Sequence, residues 1–330
     1  MTDFFTSKKI LITGAGGFIG SHLTQALVDL GSSVKAFVHY NSRGESGLLK
    51  FLPEAIRKNL ELLPGDLLDE QAIDQAAQGA DLIFHLGALI PIPYSYFHPT
   101  QVIQTNILGT LNVLNACRRY GCRLVATSTS EVYGSGLYVP INEDHPLQAQ
   151  SPYSASKIAA DKLAESYCKS FDVQAVIVRP FNTYGPRQSA RAIIPTIITQ
   201  ALALDTISLG NLDTTRDFTY VSDTVNGFIA AAQADSWSGD LYNLGTGSEI
   251  TIGKLAEIII KLIGRDVSVQ IDNQRLRPTK SEVMRLLSDN SRARRDLGWE
   301  PTVSLEQGLA LTIGWLKENL DQYRIGSYEF

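Results

Sequence analysis

The sequence predicts an α/β protein, a doubly wound parallel sheet carrying a smaller C-terminal α/β lobe. Three observations lead there. Short apolar runs alternate with amphipathic segments through the first 180 residues, the pattern of repeated strand–helix–strand units. The first strand opens directly into a glycine-rich turn and a helix. A later strand ends in Thr127-Ser128-Thr129-Ser130-Glu131-Val132-Tyr133-Gly134, and strand carboxyl ends form the ligand crevice of an open parallel sheet.

The bulk numbers agree. The chain has 330 residues, 44% apolar and 19% charged, enough to bury a large core without a disordered composition. A formal net charge of −5 argues against a general nucleic-acid binder. No apolar run approaches the ~18 residues of a membrane span, and the start lacks a signal peptide's basic-then-apolar order. We therefore expect a cytoplasmic protein. Cys117, Cys122 and Cys168 have no zinc-type spacing and read as reduced structural residues, and no metal is expected.

Taken in order, Lys9–Thr13 is an apolar strand, followed by Gly14-Ala-Gly-Gly17-Phe18-Ile19-Gly20 and a helix with Leu23, Ala26, Leu27 and Leu30 on one face. Strand, glycine turn and helix in this order suit a dinucleotide pyrophosphate, which needs close backbone approach and a helix N-terminus. Gly14, Gly17, Phe18, Ile19 and Gly20 are the candidate contacts. The second strand, 33–38, ends in His39-Tyr40-Asn41-Ser42-Arg43. An acid there would accept the ribose 2′-hydroxyl, and a cation would hold a 2′-phosphate. With no acid present, both NAD and NADP stay open, and His39, Tyr40, Asn41 and Arg43 are candidate contacts. The third strand ends at Asp66-Leu67, where Asp66 is either an adenine contact or a turn cap. The fourth, 82–88, places Leu86, Gly87 and Ala88 where a cofactor would pass; His85 in it reads as a satisfied core histidine. A helix around 102–119 carries one odd polar residue, Asn106, read as a hydrogen-bonding post.

The fifth strand leads to the octapeptide, where Glu131 is either a turn acid or a general acid/base. A helix then begins at Ser151-Pro152-Tyr153-Ser-Ala-Ser-Lys157. Tyr153 and Lys157, four apart, share one helix face, and an ammonium beside the phenol would lower the tyrosine pKa. Thr127 and Pro180, at the ends of the fifth and sixth strands, complete the candidate cofactor contacts with Tyr153 and Lys157. Beyond Pro180 the pattern loosens. Asn182 and the arginines Arg187, Arg191, Arg216, Arg275 and Arg277 are candidate ligands for a diphosphate-bearing substrate. The division expected is residues 1–182 with about 217–247 for the dinucleotide, and about 183–216 with 248–330 for the substrate.

Gly14-x-x-Gly17-x-x-Gly20, the Thr-Ser-Thr-Ser-Glu stretch and Tyr153-x-x-x-Lys157 together resemble the extended short-chain dehydrogenase/reductases, which have a Rossmann-type sheet. Over essentially the whole length the chain is similar to the nucleotide-sugar 4,6-dehydratases. Arg277-Pro278-Thr-Lys-Ser-Glu282-Val283 and Leu297-Gly298-Trp299 are similar to the tail of GDP-mannose 4,6-dehydratase, and Asn182-Thr-Tyr-Gly-Pro-Arg187-Gln-Ser-Ala-Arg191 resembles the legionaminic-acid branch. The resemblance implies a UDP- or GDP-linked N-acetylglucosamine-type substrate, a tightly bound and recycled NAD or NADP, and a homodimer through the helices holding Asn106 and Tyr153. It implies that Tyr153, aided by Lys157, takes the proton of the sugar 4-hydroxyl, that Thr129 binds the 4-oxygen, and that Glu131 removes the C5 proton. Dehydratases of the dTDP-glucose type have Asp before this Glu; here Ser130 stands there, so either Glu131 or Ser130 returns a proton to the departing hydroxyl. A UDP-glucuronate decarboxylase, a C4 epimerase and a non-catalytic dinucleotide sensor are the competing readings.

Overall fold

The computed structural model describes residues 2–326. Its centre is a seven-stranded sheet made of β1 (Lys9–Thr13), β2 (Ser33–His39), β3 (Leu60–Gly65), β4 (Leu82–His85), β5 (Arg123–Thr127), β6 (Ala175–Pro180) and a last strand, Ser238–Leu244. Every pairing is parallel. The spatial order is Ser238–Leu244, β6, β5, β4, β1, β2, β3. Strand order therefore reverses between β1 and β4, and the crevice of a doubly wound sheet opens at that reversal.

Strand alternation builds a core on each face. Ile10 and Ile12 of β1 point to one layer, with Leu23 and Leu27 of the Phe18–Asp29 helix and Val225 and Phe228 of the Val221–Ala231 helix. Leu11 points to the other, with Ile73, Val113, Leu114 and Ala164. Each such aliphatic side chain contributes roughly 1.5–3 kcal/mol on burial. Cys117 and Cys122 are buried in this second layer, and all three cysteines are free thiols.

The smaller lobe has short pieces. Asn182–Tyr184 pairs with Phe218–Tyr220, Thr215–Arg216 is flanked by Ile250–Thr251 and Arg285–Leu286, and Thr206–Leu209 pairs with Ser268–Ile271. Asp217 ties the pieces together: its buried carboxylate accepts from the N–H groups of Thr246, Gly247 and Ser288 and from the Thr246 hydroxyl. Among the described residues no helix is long and apolar enough to cross a membrane.

One element departs from expectation. The single helix read over 102–119 is three pieces: Pro99–Ile103, a π-helical turn at Gln104–Leu108, and Gly109–Tyr120. A π turn inserts one residue into the helical ladder, a device common beside functional sites. It carries Asn106, 1% exposed. The Asn106 side chain accepts from Leu89 N–H and donates to Leu89 C=O and Ser156 Oγ. The post thus binds the segment after β4 to the Pro152–Phe171 helix.

Candidate active site

The glycine turn is shaped by close approach. Gly14 has φ 71, and a Cβ there would lie 2.7 Å from Gly87 N; a Cβ on Gly20 would lie 2.2 Å from Gly14 O. Only glycine lets the β1 turn, the strip after β4 and the helix meet this closely. Gly17 caps the Phe18–Asp29 helix without any side-chain hydrogen bond, which leaves the helix start bare for an anion. At the end of β5 the Thr127 hydroxyl is buried with no partner. A bare helix start and an orphaned hydroxyl on opposite sides of the reversal fit a nicotinamide dinucleotide laid across it.

The octapeptide follows. Thr129 caps a 3₁₀ turn, Ser130–Tyr133, by accepting from Glu131 N–H. Ser130 is 3% exposed, whereas Glu131 is half-buried. Its negative charge acts on both the Tyr153 phenol and the Arg216 guanidinium, which puts Glu131 within electrostatic reach of both.

Tyr153 and Lys157 lie in the first turns of the Pro152–Phe171 helix, which Ser151 and Ser154 start with a reciprocal capping box. Both are nearly buried. The Lys157 ammonium donates to the Thr127 carbonyl at 2.6 Å, while the phenol faces the Thr129 hydroxyl. Burial raises the Tyr153 pKa above its ordinary value, and the Thr129 contact only partly offsets this. Burial outweighs the expected lowering by Lys157, whose ammonium is turned to the strand end. Burial also lowers the Lys157 pKa, opposed by Asp161.

His85 is a satisfied core residue. Its Nδ1 lies 2.7 Å from Thr13 Oγ1 and its Nε2 3.1 Å from Thr110 Oγ1. Thr110 donates to Asn106 C=O and Thr13 accepts from Gly87 N–H, so the chain closes with a neutral imidazole protonated at Nε2. Burial first and Lys157 second lower its pKa to about 3.

The expected arginines separate. Arg216, 6% exposed, donates to Thr215 C=O and sits 3.8 Å from Glu282. Burial lowers its pKa; the charge of Arg277 adds to that and Glu131 opposes it. The Nη1 of Arg277 is buried without a hydrogen-bond partner. Two cations held together, one with an orphaned donor, want an anion. Arg187 is not brought to them. At φ 69 its backbone turns back, and its guanidinium meets Ser21 and Gln25 on the Phe18–Asp29 helix. Arg275 donates to Asp272 and to Gly326 C=O. Arg191 is exposed, and Asn182 Nδ2 is buried without a partner. At the end of β2, His39 Nε2 is 4.0 Å from Asp66, whose other oxygen caps Leu68 N–H.

A buried network beneath the octapeptide was not anticipated. Asp161 Oδ2 accepts from Ser128 Oγ at 2.8 Å and from Arg179 Nε and Nη2 at 3.1 and 2.8 Å. Arg179 Nη1 donates to Tyr133 OH, which donates to Asn243. Burial pushes the Tyr133 phenol up to about 12. The only sequence signal was an arginine inside an otherwise apolar strand.

Fold and site define a nicotinamide-dependent enzyme class acting on diphosphate-linked sugars, and the relatives agree. The sequence profile of the GDP-mannose 4,6 dehydratase family matches residues 11–312, and the chain belongs to that family. It is 32% identical over 329 residues to UDP-glucuronic acid decarboxylase 1 of Xenopus tropicalis, covering 97% of this chain and 75% of the relative. It is 34% identical over 321 residues to UDP-glucuronic acid decarboxylase 6 of Arabidopsis thaliana, covering 94% and 89%. Among solved structures it resembles Pal from Bacillus thuringiensis, at 33% identity and TM-score 0.85 over 94% of this chain and 99% of the other. It also resembles a double mutant of the dTDP-glucose 4,6-dehydratase DesIV of Streptomyces venezuelae, solved with NAD and a second ligand bound, at 28% identity and TM-score 0.85 over 95% and 98%.

Proposed function

We propose that the chain is a nucleotide-sugar 4,6-dehydratase acting on a UDP- or GDP-linked N-acetylglucosamine-type hexose. The observation that carries the reading is Glu131, a half-buried carboxylate whose charge acts on both Tyr153 and Arg216. Inverting a carbinol at C4 needs no base aimed at C5.

When bound, a nicotinamide dinucleotide supplies a reversible two-electron oxidant, held by the bare Phe18–Asp29 helix start, the Thr127 hydroxyl and Lys157. Arg216 and Arg277 hold the substrate diphosphate. Thr129 donates to the sugar 4-oxygen, and Tyr153 takes the 4-hydroxyl proton once the positive charge of a bound nicotinamide offsets the burial that keeps its phenol protonated. The C4 ketone then acidifies the C5 proton, which passes to Glu131 as water leaves C6. Glu131 directly, or Ser130 as a relay, protonates that departing hydroxyl. C6 would next receive the hydride that left C4 and C5 a proton from solvent, leaving the dinucleotide oxidised as it began.

Glu131→Gln tests the role. Cofactor reduction by substrate should survive, seen as nicotinamide absorbance in a single turnover, while dehydration falls by roughly 10²–10⁴-fold, the usual worth of a general base. Full turnover in that variant would remove Glu131 from the mechanism. The second reading, UDP-glucuronate decarboxylation, is favoured by the relatives of that name at about one-third identity.

We also infer a homodimer through the helices holding Asn106 and Tyr153. Ile90, Phe97, Ile103 and Leu108 are 60%, 64%, 41% and 46% exposed, and exposed large apolar side chains are the material a protein–protein interface buries. Sedimentation should give twice the chain mass, and a monomeric mass at micromolar concentration would refute it.

A further inference from the structure

The buried network under the octapeptide is tied to both of its ends. Ser128, which precedes Thr129, is held through its hydroxyl by Asp161. Tyr133, which follows Glu131 by two residues, is held through its phenol by Arg179. Arg179 and Asp161 are in turn joined through Nε and Nη2, and all four side chains are buried. One ion pair therefore grips the turn on either side of Thr129 and Glu131.

The direction of each hydrogen bond is fixed. Asn243 Nδ2 donates to Ile141 C=O at 3.1 Å, so its Oδ1 faces the phenol and Tyr133 donates to it. The phenol oxygen is left as the acceptor for Arg179 Nη1. The guanidinium also lies 4.8 Å from the centre of the Tyr133 ring. A buried network with its donors and acceptors matched in this way holds one arrangement.

The anchor is the helix that carries the tyrosine. Tyr153, Lys157 and Asp161 recur every four residues along Pro152–Phe171, so they share one face, and the Asp161 charge acts on both of the others. The turn bearing Glu131 is thus referenced to Tyr153 by buried side chains, not only by the long segment of chain between them. Proton acceptors for adjacent carbons of one sugar need such a fixed separation, since a misplacement of ~1 Å costs about a hundredfold in rate. We propose that Asp161 and Arg179 are positioning residues which, acting through Ser128 and Tyr133, set where Glu131 stands relative to Tyr153. The proposal rests on the reading of Glu131 as the C5 base.

The test separates the two steps of the reaction. Holoenzyme is mixed with UDP- or GDP-linked N-acetylglucosamine; nicotinamide reduction is followed by absorbance and dehydration by mass. Tyr133→Phe removes one hydroxyl and keeps the ring against His145 and Phe181. Reduction should keep its wild-type rate, which also shows that the variant is folded. Dehydration should slow about ten- to a hundredfold, so that reduced nicotinamide accumulates. Ser128→Ala, which releases the other end of the turn, should show the same split. Added to Glu131→Gln, Tyr133→Phe should slow dehydration no further, because a base already lost cannot be misplaced. The proposal fails if Tyr133→Phe leaves dehydration unchanged, slows both steps alike, or multiplies the loss seen in Glu131→Gln. Full turnover in Glu131→Gln alone is a different failure, that of the C5-base reading, and it removes this proposal as well.

Discussion

At the scale of single residues, the buried histidine has a consequence that can be measured in stability. The His85 pKa is about 3 in the folded protein against 6.5 unfolded. Below about pH 6.5 the unfolded chain binds a proton that the folded one refuses. Stability is thus fully present above that pH and is lost as pH falls toward 3, by about 1.4 kcal/mol per pH unit. His22, lowered to about 4 chiefly by burial, adds a similar slope over a narrower window. Urea melts at pH 7 and pH 5 should show His85→Asn losing less stability than the wild type over that interval. Equal losses would mean His85 is not held neutral. His85 was legible as a core residue because it sits in an apolar strand. Arg187 was not placed so easily: spacing along a chain says nothing about which lobe a side chain turns to, and a left-handed φ reversed it. Asp161 was hidden for a related reason, since an acid on an amphipathic helix reads as solvated until its buried partner Arg179 is known.

Among the elements, the β1–turn–helix unit was the most readable, because glycine spacing, strand length and helix periodicity all point the same way. Gly14→Ala puts a Cβ against Gly87 N at a φ that L side chains avoid. It should cost about 1–3 kcal/mol in backbone strain alone and, by moving the turn, remove dinucleotide binding in calorimetry. Unchanged affinity would separate the turn from the cofactor. The π turn at Gln104–Leu108 was illegible, since it differs from an α-turn by one residue of register and by no change in apolar pattern. Only the odd polarity of Asn106 hinted at it. The structure explains that hint, as the extra residue lets Asn106 reach both the segment after β4 and the Tyr153 helix.

For the molecule as a whole, the proposed function has the two lobes contribute opposite halves of one site. In that proposal the sheet presents Thr129, Glu131, Tyr153 and Lys157, and the second lobe presents Arg216 and Arg277. A nucleoside diphosphate should therefore tie the lobes together and raise the melting temperature. At a concentration 100 times its dissociation constant, UDP or GDP would stabilise by about 2.7 kcal/mol. Arg277→Ala should abolish most of that rise while leaving the unliganded melting temperature near its wild-type value, because its Nη1 is buried without a hydrogen bond to lose. An undiminished rise would place the diphosphate elsewhere. The parallel sheet was legible from alternation alone. The second lobe was not, because its strands are two to four residues long, too short to show a period, and they pair across long stretches of sequence.

The central claim is that Glu131 makes this site eliminate water. The protein is incubated with UDP- or GDP-linked N-acetylglucosamine in deuterated water and followed by mass spectrometry and NMR. Loss of one water with deuterium at C5 is the predicted result. An unchanged mass with inversion at C4, or no reaction with either sugar alongside carbon dioxide release from UDP-glucuronate, would contradict it.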